Sequence, residues 1–263
     1  MAPAPNFKFP ISLTDDLVIE AVYYGSGTLC ISSQAGCALA CPFCASGNQG
    51  LKRQLTVAEL ELQLHQLHQN GFAPQRLTIS GIGEPLQNWE NVRSFMVSCQ
   101  KQGLGVSVTT TGVTLRHLEE LITLATNGVM ISLHAAAADI HRQLIPNGPD
   151  FLRLYHEIDR IYPLISRRKR RKIGINYLLL AGINDRHSDR QALLTMMQRW
   201  PDFTLHLLRY NPVAGMNFSS NTEKIDHWHD YLQAAGISVR RPNPWRNSAD
   251  GGCGTLYLQR NSP

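Results

Sequence analysis

Three cysteines stand close together in the stretch GTLCISSQAGCALACPFCASGNQG, residues 27–50. Cys37, Cys41 and Cys44 have the spacing C-x3-C-x2-C, and Cys30 lies seven residues before the first of them. Three thiolates without a nearby fourth ligand suit an iron–sulfur cluster that has one open iron. A structural zinc site would need a fourth Cys or His at suitable spacing, and residues 27–60 contain no His. The spacing therefore favours a cluster over zinc.

Two other interpretations of these thiols are weaker. The chain has no run of about 18 apolar residues that could span a membrane, and its N-terminus, MAPAPNFKFP, lacks the features of a secretory signal. We therefore expect a cytoplasmic protein without a membrane partner, and structural disulfides are rare in the reducing cytosol. A set of plain core cysteines explains the clustering less well, although Cys99, in a predicted helix, fits that description.

The elements that must position these cysteines alternate between strand-like and helix-like patterns. Apolar runs such as TLCISS, RLTISG, GVSVTTTG and VMISLHA are each followed by a helical segment. About six such alternations predict βαβ units around a parallel sheet, too few for a full eight-stranded barrel. We therefore predict an α/β fold with a partial, open parallel β/α barrel of about six units. Residues 1–26 form a short N-terminal β extension in this prediction, and residues 27–263 form the main domain.

Small and polar residues follow several predicted strands, at the edge where parallel α/β folds bind ligands. Gly81 and Gly83 in SGIGEP permit close backbone approach, and Glu84 could accept hydrogen bonds from a ligand amine. Other strands end in hydroxyl, imidazole or amide groups, which belong to Thr109, Ser132, His134 and Asn211. A single such residue is usually part of a turn. Their shared position at strand ends predicts a site for one polar ligand.

A last thiol, Cys253, stands among glycines in SADGGCGTLYL. A buried structural cysteine is the usual expectation for a lone thiol, but the glycines argue for a thiol that another group approaches closely. We therefore consider Cys30 and Cys253 a candidate reactive pair beside the cluster. The sequence leaves their separation open.

Positive charge is concentrated in one block. The net charge of +5 is compatible with a polyanionic partner, and the segment SRRKRRKIG contains six consecutive basic residues, Arg167 to Lys172. Such a block is typical of contacts with a phosphate backbone, and equally of a solvated loop. Near the C-terminus, Trp245 and Arg246 could stack on a nucleic-acid base, which is a weaker signal.

These motifs resemble the radical S-adenosylmethionine (radical SAM) enzymes and, within them, the adenine methyltransferases of ribosomal and transfer RNA, the RlmN/Cfr family. The resemblance runs in consistent order through GTLCISSQAGCALACPFCASGNQGLKRQLT, GIGEPLQNWENV, ISLHA, INYLLLAGIND, RYNPVAG and the closing CG. It implies that Cys37, Cys41 and Cys44 bind a [4Fe–4S] cluster whose open iron chelates S-adenosylmethionine. The positions that match the family's cofactor contacts are Gly83, Glu84, Thr109, Ser132, Leu133, His134 and Asn211.

The resemblance also implies roles for the two remaining thiols. Cys253 matches the cysteine that one S-adenosylmethionine methylates, and Cys30 matches the cysteine that resolves the later intermediate. A second S-adenosylmethionine gives a 5′-deoxyadenosyl radical, which activates the methyl group on Cys253 for addition to C2 or C8 of an adenine in rRNA or tRNA. Attack by Cys30 releases the product and leaves a disulfide that a reductant resets. The implied partners are RNA and an electron donor such as flavodoxin or ferredoxin.

The sequence departs from the family pattern in three places. Thr109 stands where the family usually has Ser, and WRNSADGGC replaces an acidic stretch before the last cysteine. Family members usually carry an additional N-terminal domain that helps to grip RNA, and this sequence begins almost at the catalytic core. We expect the basic block of residues 167–172 to supply part of that grip.

Two alternatives stay open. The same radical chemistry could act on a protein or a small molecule, which a missing RNA-gripping domain would favour. A degenerate, cluster-containing RNA-binding protein is the other alternative. Intact cluster cysteines, together with Glu84, Cys30 and Cys253, argue against degeneration.

Overall fold

The computed structural model describes residues 5–248 and 251–260, with twelve strands and eight α-helices among them. The strands are β1 (Phe7–Ser12), β2 (Leu17–Tyr24), β3 (Thr28–Ile31), β4 (Gln34–Gly36), β5 (Leu51–Gln54), β6 (Arg76–Ile79), β7 (Gly105–Thr110), β8 (Gly128–Ser132), β9 (Ile173–Leu178), β10 (Thr204–Leu208), β11 (Val239–Arg240) and β12 (Gln259–Arg260). The helices are α1 (Val57–Gln69), α2 (Trp89–Lys101), α3 (Leu118–Leu124), α4 (Ala138–Leu144), α5 (Phe151–Ile161), α6 (Arg167–Arg170), α7 (His187–Arg199) and α8 (Thr222–Ala234).

One large sheet organises these elements, in the order β1-β2-β3-β6-β7-β8-β9-β10-β11, with β12 paired to β2. From β3 to β11 every neighbouring pair is parallel, and at least one helix lies between successive strands of that run. The prediction of an open parallel β/α barrel with about six units is confirmed, since six crossovers join these seven strands. In the described ranges no pairing joins β1 to β11.

The two faces of the parallel sheet differ in chemistry. Aliphatic side chains on one face, such as those of Leu77, Val108 and Ile131, belong to a core that also contains apolar residues of the helices. The other face carries small or polar residues in register, and Cys30 pairs with Thr78, which pairs with Ser107. Because side chains alternate along a strand, burying the aliphatic face against helices turns these polar groups toward the inside of the barrel.

The first two strands, β1 and β2, continue the main sheet at one side. Strands β1 and β2 form an antiparallel pair over six residue positions, and β2 pairs antiparallel with β3. Strand β12 pairs with β2 at Val18 and Leu17, so both ends of the described chain meet at this edge. The buried carboxylate of Glu20 on β2 lies 2.9 Å from the ammonium group of Lys8. No helix in the described part of the chain is long and apolar enough to cross a membrane.

The basic block of residues 167–172 lies directly before β9, at the amino ends of the parallel strands. Lys169 donates to the carbonyls of Ile122 and Thr123 at the end of α3, and Lys172 donates to the Thr126 carbonyl at 2.7 Å. Arg167 and Arg170 contact Asp202. Cations near the end of a helix satisfy its free carbonyls and favour its dipole. This placement, at the edge opposite the strand-end residues, does not support a role for the block in gripping RNA beside them.

Candidate functional site

The three clustered cysteines lie on a loop that β4 and β5 close as an antiparallel hairpin. Gly36 ends β4 with φ +82°, and a Cβ atom there would lie 1.9 Å from the carbonyl oxygen of Gly50. The amide of Cys37 donates to that same carbonyl at 3.2 Å. Within the loop, the Cys44 amide donates to the Cys41 carbonyl at 3.1 Å. Glycine is therefore required where the two ends of the cysteine loop meet.

The thiols of this loop are shielded from water. Cys37 and Cys41 are buried and Cys44 is half-buried. Burial raises the pKa of Cys37 to about 12, with the negative charges of Cys44 and Glu84 adding to the effect. Burial also raises the pKa of Cys41 and of Cys44, and in Cys41 the charges of the other two thiols contribute. A metal centre is what lets such neighbouring thiols ionise together.

The donor set of the loop fits an iron–sulfur cluster better than a single metal ion. In residues 5–248 and 251–260, no three His, Cys, Asp or Glu side chains are arranged to hold one ion. In a cluster the thiolates bind different irons, so they do not have to converge on one point. Soft, buried donors at Cys37, Cys41 and Cys44 suit that arrangement.

Glu84 lies in the loop that follows β6, and both oxygens of its carboxylate already accept hydrogen bonds. One oxygen accepts from the amide of Leu86 at 3.0 Å and from the Thr110 hydroxyl. The other accepts from the amide and hydroxyl of Thr111, at 2.8 and 2.9 Å. Burial raises the pKa of Glu84, and these hydrogen bonds oppose the rise. A ligand amine would have to replace one of these donors, because a carboxylate offers about four acceptor positions.

Gly83 and His134 have specialised backbone conformations. Gly83 has φ +103°, and a Cβ there would lie 2.6 Å from the side chain of Gln34, which accepts from the Glu84 amide at 2.7 Å. His134 has φ +57° and its Nδ1 accepts from the Leu178 amide at 3.1 Å. Burial, assisted by the charge of His141, lowers the pKa of His134 to about 3. The imidazole is therefore neutral and carries its proton on Nε2.

His134 packs against the cysteine loop and follows the strand end that carries Ser132. Its ring lies 5.4 Å from that of Phe43, edge to face, which packs β8 against the loop. Leu133, buried next to it, donates its amide to the Asn176 carbonyl at 3.2 Å. The hydroxyls of Thr109 and Ser132 make no hydrogen bond within the part of the chain that the structure describes. Both belong to the polar face and are available to a ligand.

Asn211 holds the C-terminal loop. Its Nδ2 donates to the carbonyls of Arg246 and Cys253, at 2.9 and 3.0 Å. A Cβ on Gly252 would lie 2.7 Å from the same Nδ2, so glycine is needed for this approach. The Nδ2 group of Asn211 thus fixes the backbone before and after the thiol of Cys253.

Cys30 and Cys253 are linked indirectly, through Ser80 and Arg246. Cys30, on β3, places its Sγ 3.2 Å from the Ser80 Oγ, and the Arg246 Nη1 lies 3.4 Å from that Oγ. The same Nη1 lies 3.5 Å from the Sγ of Cys253. Burial raises the pKa of Cys30, with the Cys253 charge adding to it and Arg246 and Ser80 opposing it. Both thiols are free.

Ser80 and Tyr24 are site residues that the sequence analysis missed, and it assigned Arg246 to base stacking and not to the thiol pair. The Arg246 guanidinium lies 5.0 Å from the ring centroid of Tyr24, whose hydroxyl donates to the Gly251 carbonyl at 3.2 Å. Arg246 therefore turns into the site, and does not present its face to solvent for stacking. Ser80 directly follows β6. Its position at a strand end, the criterion by which Ser132 was selected, could have identified it from the sequence.

The chain after Cys253 is fastened to the cysteine loop and to β2. Ala45 donates its amide to the Gly254 carbonyl at 2.9 Å, and Ser46 donates its hydroxyl to the Leu256 carbonyl at 2.8 Å. The Tyr257 amide donates to Glu20 at 2.8 Å. The loop that carries the cluster cysteines and the segment that carries Cys253 therefore form one unit.

Comparison with known proteins agrees with this geometry. The family model of the radical SAM superfamily matches residues 31–192. A "Probable RNA methyltransferase" of Rhodopseudomonas palustris (strain BisB5) is 33% identical, over 96% of this chain and 71% of that protein. A "Dual-specificity RNA methyltransferase RlmN" of Halorhodospira halophila (strain DSM 244 / SL1) is 30% identical, over 95% of this chain and 72% of that protein.

A solved structure is similar over nearly the same span. The crystal structure of a radical SAM methyltransferase from Sphaerobacter thermophilus has a TM-score of 0.78 and 25% sequence identity, and the match covers 97% of this chain and 78% of that chain. Family, relatives and fold agree with a loop of three cysteines at the carboxyl ends of parallel strands. The chain therefore belongs to the radical SAM superfamily, in the group that contains the RlmN RNA methyltransferases.

Proposed function

We propose that this protein is a radical SAM methyltransferase that modifies an adenine of rRNA or tRNA at C2 or C8, through a methyl group carried by Cys253. The observation that carries the proposal is the position of Cys253 between two partners. Its loop is bonded to the cysteine loop through Gly254 and Ala45, and a second free thiol, Cys30, is linked to it through Arg246 and Ser80. The names of the relatives support an RNA substrate.

The residues that would hold the cofactors are those of the cysteine loop and the strand ends. Cys37, Cys41 and Cys44 hold a [4Fe–4S] cluster, which when bound supplies the electron that cleaves S-adenosylmethionine. In this proposal the contacts to S-adenosylmethionine come from Gly83, Glu84, Thr109, Ser132, Leu133, His134 and Asn211. The free hydroxyls of Thr109 and Ser132 and the neutral imidazole of His134 support that assignment, since they can donate to a ligand without bringing charge.

Cys253 has the first chemical task. As a thiolate, its sulfur displaces S-adenosylhomocysteine from a methyl group, so that a new S–C bond forms while the sulfonium S–C bond breaks. The methyl group is then held next to the cluster loop. Adenine C2 and C8 are electron-poor carbons that do not attack a sulfonium methyl group themselves, which explains the need for a carrier.

Cys30 has the second task. Once the methylene group of Cys253 is bonded to the adenine, the sulfur of Cys30 attacks the sulfur of Cys253. The S–CH2 bond breaks and its electron pair stays with the methylene carbon, which takes up a proton and becomes the methyl group of the adenine, while the two cysteines are oxidised to a disulfide. An electron donor such as flavodoxin or ferredoxin reduces the disulfide back to two thiols and supplies electrons to the cluster. The reducing cytoplasm is the compartment that suits this cycle. We assign this catalytic cycle to a domain of residues 27–263, with residues 1–26 as a β extension.

The proposal is tested by removing the thiol that releases the product. Cys30→Ala, with reconstituted cluster, S-adenosylmethionine, reductant and total RNA, should accumulate a covalent protein–RNA adduct on a denaturing gel. Cys253→Ala should form neither adduct nor methylated RNA, and Cys99→Ala should behave like the wild type. Release of methylated RNA by Cys30→Ala at the wild-type rate would contradict the assigned roles. A methylated Cys253 without any RNA product would redirect the search to a protein or small-molecule acceptor.

A further inference from the structure

Arg246 occupies the space between the two thiols of the proposed reaction. Its Nη1 is 3.5 Å from the Sγ of Cys253 and 3.4 Å from the Oγ of Ser80, which is 3.2 Å from the Sγ of Cys30. A continuous chain of polar contacts thus joins Cys253 to Cys30 through one guanidinium and one hydroxyl.

The hydrogen bonds between Arg246, Ser80 and Cys30 have a defined direction. The Ser80 Oγ accepts from the Thr78 hydroxyl at 3.3 Å and from Arg246. A serine hydroxyl has two acceptor positions and one donor. Since both acceptor positions are used, the proton of Ser80 points to the sulfur of Cys30. Both sulfurs therefore face donors, one from Arg246 and one from Ser80.

Arg246 is also a cation without an acidic partner among residues 5–248 and 251–260. In the described part of the chain it forms no ion pair with Asp or Glu, in contrast to Arg241 of the same loop, which contacts Asp226 and Asp230. Its guanidinium is half-buried and packs over the Tyr24 ring. A shielded cation is costly unless an anion balances it. The groups that Arg246 reaches, directly or through Ser80, and that become anions on losing a proton include the two thiols.

We propose that Arg246 is the positioning residue for this thiol pair, binding the sulfur of Cys253 as the thiolate that accepts the methyl group and then, through Ser80, the sulfur of Cys30. The inference rests on the proposed function. The thiol proton of Cys253 leaves to solvent when the thiolate forms, and methylation then turns the sulfur into an uncharged thioether. Arg246 then keeps one ionisable partner, Cys30, the sulfur that must act as nucleophile in the release step. One cation thereby serves both halves of the reaction in turn.

The backbone of Arg246 lets its side chain be changed without removing the loop contacts. The Arg246 carbonyl accepts from the amide of Cys253 and from Asn211, and these bonds do not involve the guanidinium. Arg246→Met should therefore keep the loop and lose the charge, and Arg246→Lys should restore the charge without the forked geometry. Arg241→Met is the matched control, because it removes an arginine of the same loop that faces exposed carboxylates.

The test follows methyl transfer to Cys253 in the absence of RNA. The full chain with reconstituted cluster is mixed with S-adenosylmethionine, and the Cys253 peptide is followed by mass spectrometry. Loss of a hydrogen bond to a charged group predicts that Arg246→Met lowers kcat by about 10-fold or more, with KM for S-adenosylmethionine unchanged. Arg246→Lys should recover part of the rate, and Arg241→Met should match the wild type. A wild-type rate in Arg246→Met, or equal losses in Arg246→Met and Arg246→Lys with intact iron content, would overturn the inference.

A second measurement separates this inference from the proposed function. Iodoacetamide reacts with thiolates and needs neither cluster nor cofactor. Alkylation of Cys253 near neutral pH should be slower in Arg246→Met than in the wild type by a similar factor, and unchanged in Arg241→Met. If the wild type does not methylate Cys253 but shows this difference, the proposed function fails and the role of Arg246 stands. Equal alkylation rates would overturn the role even in an active enzyme.

Discussion

Gln49 and Leu258, far apart in the chain, are joined by two hydrogen bonds. The side-chain amide of Gln49 donates to the Leu258 carbonyl at 2.6 Å, and its oxygen accepts from the Leu258 amide at 2.7 Å. Gln49 thus pairs with the C-terminal segment as a neighbouring strand would. Because Gln49 follows the cluster cysteines and Leu258 follows Cys253, this pair couples the position of the cysteine loop to that of the methyl-carrying thiol.

The first prediction concerns a variant that removes this coupling. Gln49→Ala should expose the Leu258 amide and raise its hydrogen-exchange rate by about 10-fold, since each lost hydrogen bond contributes roughly 0.5–1.5 kcal/mol. Cys253 should also become more accessible to iodoacetamide. Gln198→Ala, which changes an exposed glutamine on α7, is the control and should leave both rates alone. Unchanged exchange at Leu258 would mean that the segment is held by other contacts.

The second prediction concerns the glycine that closes the cysteine loop. Gly36→Ala places a Cβ 1.9 Å from the Gly50 carbonyl oxygen, so the hairpin must open and the reconstituted protein should lose most of its iron. Gly182 also has a positive φ, +77°, but no atom lies near its Cβ position. Gly182→Ala should therefore cost only the backbone strain, about 1–2 kcal/mol, and keep its iron. Equal iron contents in the two variants would contradict the role of Gly36.

The third prediction compares two kinds of buried cysteine. Cys41→Ala should abolish the absorbance and iron content of the reconstituted cluster, because it removes one of the proposed ligands. Cys99 is buried in α2 within the main core, so Cys99→Ala should keep the iron and lose about 1 kcal/mol of stability through a small cavity. Iron analysis and urea unfolding measure both effects. Retention of a full cluster in Cys41→Ala would remove this residue from the ligand set.

The fourth prediction is a pH dependence that involves the barrel interior. Burial, with the charges of Arg240 and Arg246, lowers the pKa of His206 from 6.5 to about 4. A depressed folded-state pKa contributes stability that is present above pH 6.5 and is lost as the pH falls toward about 4. The urea midpoint of the wild type should therefore fall over this window.

The matching variant isolates the histidine. His206→Gln keeps a polar side chain that cannot take up a proton in this range, so its urea midpoint should fall less than that of the wild type between the same two pH values. Gln198→Ala should keep the wild-type slope. If wild type and His206→Gln have parallel curves, protonation of His206 does not limit stability on the acid side.

The order of elements and the cysteine loop could be predicted from the sequence, because they depend on local patterns. Alternating apolar runs specify the strands that carry Thr109 and Ser132, and the C-x3-C-x2-C spacing marks the loop. Strand ends in a parallel sheet meet at one edge, which is why the candidate contacts lie together. The sequence offered Cys30 and Cys253 only as a candidate pair, and their roles required the family resemblance, since nothing local links them.

Other features depend on distant contacts and could not be predicted. Arg246 looked like a stacking residue for a base, but Tyr24 and Ser80, from distant strands, draw it inward. Lys169 looked like a phosphate contact, but carbonyls at the end of α3 bind it. Glu84 looked free for a ligand amine, but Thr110 and Thr111 at the end of β7 donate hydrogen bonds to its oxygens. In each case the partner is remote in sequence, so composition and spacing do not predict the contact.

The most direct test of the central claim uses S-adenosylmethionine with a deuterated methyl group. The reconstituted protein is incubated anaerobically with this cofactor, reductant and total RNA, and both the Cys253 peptide and the RNA nucleosides are read by mass spectrometry. The account predicts label on Cys253 and a methyladenosine that has lost one deuterium atom from the transferred methyl group. A methyladenosine with the fully deuterated methyl group, or cofactor cleavage without label on Cys253, would contradict transfer through this thiol.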